Sequence, residues 1–313
     1  MTTPPTQPVE PVTPDDEAQA YREIEYSVAD RVATIALDVP EKRNRISYRM
    51  RREIINALRT AEEDDEVTVV LIRGNGPSFS AGYDLGRNPE ADGGARSGAH
   101  YYRDDGVRPE RWVDAEEFNG WTDQWARSCV RDWYNVWDLL KPVVAMVHGH
   151  CVAGGTELMS MCDIVFVADD ARIGYPPVRG MSTPDVPYFP WKMSMAHAKY
   201  LQLTGNSVTG AEAAQLGWVV KSFPAADLEA ETMRELRAIS SIAPALLAAN
   251  KHCVNQAYEI QGMKTHLDQS WSWRSFSGHV RPGASGFRDE LQRSGLKAAL
   301  DWRDGAFRAE GFA

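Results

Sequence analysis

The first clear rhythm of apolar and polar positions is the stretch "RVATIALDVP" (31–40), which reads as a strand. From Ser47 the period changes: in "SYRMRREIINALRTAEEDD", Met50, Ile54, Leu58 and Ala61 fall on one face of a helix. "VTVVLIRG" (67–74) is short, β-branched and closed by a glycine, as a buried strand is. Periodicity is lost through residues 87–120, a charged, glycine-bearing segment threaded with Tyr101, Tyr102, Trp112 and Phe118. Irregular segments of that length are usually lids, binding loops or disordered, and the aromatics favour a folded cover. Trp125, Cys129, Trp133 and Trp137 then return at i, i+4 spacing, a helix face packed into the core.

"KPVVAMVHGH" follows as a strand, "GGTELMSM" as a helix and "DIVFVA" as a strand; a helix begins near "SVTGAEAAQLG", and "GWVVKSF" (217–223) is one more strand. From Ala226 the pattern is helical to the end, and no repeat of solenoid period occurs. Strands alternating with helices predict an α/β fold with mainly parallel sheets. The expected division is a tail (1–20), a core (21–225) carrying the 87–120 insertion, and a helical C-terminal region (226–313).

Composition narrows the function. With 43% hydrophobic and 25% charged residues the chain is an ordinary soluble type, and 313 residues suffice for a large core. A net charge of -10 argues against nucleic acid as a partner but leaves room for a local basic pocket. Four cysteines without a CxxC pair read as reduced thiols, three of them in apolar segments. His148 and His150 form the one close histidine pair, for which structural histidines are expected rather than a metal site. The Pro-, Thr- and acid-rich opening lacks the apolar core of a signal peptide, and no run approaches the roughly 20 apolar residues of a membrane span. The expectation is a cytoplasmic enzyme with a disordered N-terminal tail and no membrane partner.

Candidate chemistry centres on "HGHCVAGGTEL" (148–158), where an apolar run breaks into a small-residue loop that delivers Glu157 to a helix start. Ala153, Gly154 and Gly155 let a substrate press against bare backbone, and N–H groups there stabilise negative charge. Taken alone, the stretch is equally an ordinary strand-to-helix turn.

Four segments in order sharpen this: "PEKRNRIS" (40–47), "PSFSAGYDL" (77–85), "KPVVAMVHGHCVAGGTELMSMCDIVFVADDARIGYP" (141–176) and "LTGNSVTGAEAAQLGWVVKSFP" (203–224). Together they resemble the crotonase family, the enoyl-CoA hydratase/isomerase superfamily. The resemblance implies a spiral of ββα units, with C-terminal helices completing the interface of a homotrimer or hexamer. It implies an acyl-CoA substrate, coenzyme A entering as part of the thioester, with no further cofactor and no metal. Two backbone N–H groups, on Tyr83 and Gly154 here, would form the oxyanion hole; such a donor is worth about 2.7–4 kcal/mol. Ala81, Asp84 and Leu85 match the segment lining coenzyme A, and Arg43 matches a basic residue near its phosphates.

The chain also departs from the family. Hydratases of this type use two glutamates; the first falls on Glu157, and the second falls on Pro177, which transfers no proton. Eight residues further, where some relatives carry a functional aspartate, stands Asp185. The resemblance therefore makes Glu157 and Asp185 the acid/base pair, with His150 as a weaker candidate to assist. Hydration or isomerisation of an enoyl-CoA leads. Hydrolysis resembling that of 3-hydroxyisobutyryl-CoA, dehalogenase-like chemistry, or a non-catalytic CoA-binding scaffold are the alternatives.

Overall fold

The computed structural model describes residues 21–85, 125–270, 272–273 and 286–312. The expected tail (1–20) and the aromatic insertion (87–120) lie outside the described residues.

Among the described residues nine strands build two sheets: β1 (Ile24–Ala29), β2 (Val32–Leu37), β3 (Val69–Gly74), β4 (Val143–Val147), β5 (His150–Val152), β6 (Ile164–Ala168), β7 (Arg172–Gly174), β8 (Ser207–Thr209) and β9 (Lys221–Phe223). The larger sheet runs β1-β2-β3-β4-β6-β9, antiparallel only at its β1–β2 hairpin, and the smaller runs β5-β7-β8. All five residues of β4 are buried, the uniform apolar run that a parallel strand covered on both faces requires. β1 was not evident in the residue pattern, and "GWVVKSF" narrows to three strand residues because Trp218 instead turns inward onto Ser160 Oγ, 2.9 Å away.

Each of β4 and β6 passes at once into a short strand of the small sheet, β5 and β7. The segment after β3 does the same, as Phe79 and Ser80 N–H donate to His148 and His150 carbonyls at 2.9 Å. This is the strand–strand–helix repeat expected. The sharp corner at Gly149 needs glycine: φ is 58°, and a Cβ would stand 2.0 Å from the Pro77 carbonyl oxygen.

The helices are α1 (Tyr48–Glu63), α2 (Trp125–Trp137), α3 (Gly154–Met161), α4 (Phe189–Lys192), α5 (Met195–Thr204), α6 (Gly210–Gln215), α7 (Leu228–Ser240), α8 (Pro244–Ile260), α9 (Met263–Asp268) and α10 (Gly286–Ala309). Ser47 caps α1 by accepting the Met50 N–H, and Met50, Ile54, Leu58 and Ala61 are buried as their spacing predicts. Cys129, Trp133 and Trp137 of α2 are buried too, and α2 packs between α1 and α3. Burial of each large apolar side chain contributes about 1.5–3 kcal/mol. α10 returns to the turn at Pro176–Arg179: Arg179 pairs with Asp304 at 3.4 Å, and Trp302 covers Gly180.

Candidate active site

β5 ends at Val152, and Ala153 then takes φ 51° and ψ −125°, a conformation costing a non-glycine residue about 1–3 kcal/mol. Neighbours hold it there from both sides. Its N–H donates to Gly174 in β7 at 3.0 Å, and its carbonyl accepts the Thr156 N–H at 2.9 Å and the Thr156 hydroxyl at 2.6 Å. The chain is thereby aimed into α3, whose first-turn N–H groups have no acceptor within the helix. All eight residues of α3 are buried, which encloses Glu157 completely.

Both oxygens of that carboxyl are engaged. Tyr83 hydroxyl donates to Oε2 at 2.7 Å, and the backbone N–H of Asp185 donates to Oε1 at 2.8 Å. Burial, and then the charge of Asp185, push Glu157 up to about 8 despite hydrogen bonds from Tyr83, the Val186 backbone and Tyr175 that favour its ionised form. A carboxyl so placed takes and releases a proton near neutrality. Asp185 is itself buried, in the loop that carries Val186 and Tyr188 into the core.

Tyr83 lies on a short ladder between two loops: Ala81 N–H to Arg43 carbonyl (2.8 Å), Ile46 N–H to Gly82 carbonyl (2.7 Å) and Asp84 N–H to Ile46 carbonyl (3.0 Å). Buried Asn44 organises this region, accepting the Val39 N–H and donating to the Asn75 and Ser78 carbonyls. The ladder sets Gly82 against the start of α3, where a Cβ would lie 3.1 Å from the Gly154 nitrogen. The two residues expected to offer oxyanion N–H groups therefore sit side by side. A Cβ on Gly154 would stand 2.7 Å from two atoms of the Tyr83 ring, so the ring lies directly on that glycine.

Of the residues expected along coenzyme A, Arg43 and Ala81 are exposed and joined through the ladder, while Asp84 pairs with Arg45 at 2.8 Å and Leu85 is half-buried. His150 stands apart from the carboxyl pair: its Nδ1 faces Ser78 Oγ at 3.4 Å, and burial with nearby Arg43 and Arg172 lowers its pKa. His148 Nε2 contacts the Gly76 carbonyl at 2.8 Å. Pro177 is buried, and its carbonyl accepts N–H groups from Gly180, Met181 and Ser182, giving the second-glutamate position a loop-folding part. Among the described residues no three His, Cys, Asp or Glu side chains group as a metal site, and no helix is long and apolar enough to cross a membrane.

Three participants escaped the residue pattern. Trp133 reads as one more core aromatic of α2, yet its indole N–H donates to the Tyr83 hydroxyl at 2.8 Å. The Tyr83 phenol reaches Glu157, a side-chain contact beyond the main-chain N–H and the shaping of the acyl pocket expected of that residue. Tyr175, at the end of β7, also bonds Glu157.

Comparison with known proteins supplies the chain's relatives. The family model described as enoyl-CoA hydratase/isomerase matches residues 27–101 and 116–292. A crystal structure of an enoyl-CoA hydratase from Mycobacterium smegmatis superposes with a TM-score of 0.80 at 31% identity, covering 91% of this chain and 94% of that one. The hydroxycinnamoyl-CoA hydratase-lyase of Pseudomonas fluorescens is 28% identical over 89% of this chain and 96% of its own. The 2,3-dehydroadipyl-CoA hydratase of Escherichia coli K12 is 27% identical, covering 76% of this chain and 84% of its own.

Proposed function

The chain belongs to the enoyl-CoA hydratase/isomerase family of acyl-CoA enzymes, and from that premise we propose that it adds water across, or moves, the double bond of an enoyl-CoA, with Glu157 and Asp185 as one acid/base pair. The observation that carries this reading is the enclosed Glu157 carboxyl, bonded to the Asp185 backbone at 2.8 Å and raised to about 8.

The thioester oxygen is placed against the Tyr83 and Gly154 N–H groups, where the negative charge of an enolate develops; α3 adds its dipole there. In hydration the water oxygen bonds to the β-carbon while its proton passes to one carboxylate, and the α-carbon takes the proton held by the other. The pair gains one proton from the water as it gives another to the α-carbon, so it begins and ends singly protonated, and that is the working form. Double-bond migration uses the same pair, removing a proton at one carbon and returning it at another. Pro177 leaves Asp185 as the aligned carboxylate beside Glu157.

Coenzyme A enters within the substrate, along Arg43, Ala81, Asp84 and Leu85, and the scheme needs no other cofactor. The names of the hydroxycinnamoyl-CoA and dehydroadipyl-CoA relatives favour an acyl group larger than crotonyl. Exposed Leu203 and Ile260, both 80% accessible, suit a self-associating chain, a homotrimer or hexamer.

The test is turnover of a panel containing crotonyl-CoA, a cinnamoyl-type 2-enoyl-CoA, a 3-enoyl-CoA and a 3-hydroxyacyl-CoA. Hydration or isomerisation of the larger enoyl-CoAs is expected, with crotonyl-CoA poor and no free coenzyme A released. Release of free coenzyme A from the 3-hydroxyacyl thioester as the fastest reaction would instead establish hydrolysis.

A further inference from the structure

Proton transfer by a carboxyl depends on where its oxygens point, and two helices outside α3 control this for Glu157. An indole N–H only donates, so the Trp133 contact at 2.8 Å makes the Tyr83 oxygen an acceptor there. The single phenolic hydrogen is then directed at Glu157 Oε2, 2.7 Å away. On the ring itself, the Arg51 guanidinium lies 5.8 Å from the centroid, within cation–π range. Arg51 is fully buried and is anchored to α2 through Asp132 and through Ser128 Oγ at 3.2 Å. Gly154, lacking a Cβ, gives the ring its seat.

We propose that Tyr83 is a positioning residue for Glu157, clamped by Trp133 of α2 and Arg51 of α1 so that its hydroxyl fixes the carboxyl plane against the Asp185 backbone. The inference rests on Glu157 as the proton-carrying group of the proposed reaction, but its test requires no turnover. Among the described residues the ionisable and charged groups around Glu157 are Asp185 and Tyr188 from the 183–188 region, Tyr175 after β7, Tyr83 after β3, Cys129 of α2 and Arg51 of α1, the last paired with Asp132 of α2. Within this set Tyr83 favours the ionised carboxylate, whereas Asp185 opposes it.

The experiment is a titration of the Glu157 carboxyl carbon by 13C NMR in the substrate-free full-length protein, the signal being identified by its loss in Glu157→Gln. The wild-type midpoint is expected near 8. Tyr83→Phe keeps the ring on Gly154 but removes the donor, so the midpoint should rise by about one pH unit, as loss of a hydrogen bond to a charged group requires. Trp133→Phe frees the hydroxyl rotor and should move it the same way by less. A merely structural Tyr83 would alter the melting temperature and leave the midpoint unmoved, and that result, or a downward shift, would overturn the proposal. Should Tyr83→Phe not fold, Trp133→Phe decides: an upward shift supports the clamp and an unmoved midpoint removes it. Both shifts in a protein inactive on every acyl-CoA would refute the proposed reaction while supporting the clamp.

Discussion

Glu157→Gln is expected to lose at least about 10²–10⁴-fold in kcat with KM nearly unchanged, the usual contribution of a group that transfers a proton in the rate-limiting step. Glutamine fits the site: its carbonyl can accept the Asp185 N–H, and its amide can face the Tyr83 oxygen, so the fold should persist. Stability should move the opposite way to activity. The folded chain holds this proton far more tightly than the ordinary value of 4.5, with a midpoint near 8. Folding stability from this group is therefore full below the unfolded value and is lost as pH rises through the folded one. Each unit of difference is worth about 1.4 kcal/mol, so the wild type gives up a few kcal/mol that the glutamine variant retains. Urea midpoints at roughly pH 5 and roughly pH 9 check this: the variant's advantage should be larger at the higher pH. A variant keeping more than about a tenth of the rate would make Glu157 structural.

Asp185→Asn is expected to be nearly as damaging, because the two carboxyls handle one proton and either loss leaves the pair incomplete; a fall of about 10²-fold or more in kcat is expected. It also carries a directional signature. The Asp185 charge is, after burial, the main influence raising Glu157, so its neutralisation should move the upper limb of the pH–rate profile below its wild-type position near 8. The backbone N–H that bonds Glu157 survives the substitution, which separates the loss of charge from the loss of contact. An undiminished rate with an unmoved limb would remove Asp185 from the chemistry.

How much of this was legible depended on the range of the interaction involved. The apolar spacing from Ser47 anticipated α1 closely, since capping and i, i+4 burial are local. β1 escaped because most of Ile24–Ala29 is exposed or half-buried, leaving little contrast to read. The strands of the small sheet are three residues each, shorter than any periodicity needs to declare itself. Glu157 was visible because its small-residue loop and acid lie together in one stretch, 148–158, that resembles the family's. Its hydrogen bonds were not: Tyr83 lies 74 residues from Glu157 and 50 from Trp133, and the Asp185 contact is made by backbone, which no side-chain pattern encodes. Ala153's strained φ is likewise invisible in an alanine, since it is imposed by bonds to Gly174 and Thr156.

The most direct measurement is exchange at the α-carbon of a saturated acyl-CoA bound by the enzyme in deuterium oxide, followed by NMR. Wild type should introduce deuterium there, because an enolate held by the Tyr83 and Gly154 N–H groups needs only Glu157 and Asp185 to trade its proton, and Glu157→Gln should bind the same thioester without exchange. A wild type that binds the thioester but exchanges nothing, or a Glu157→Gln variant that exchanges at the wild-type rate, would contradict it.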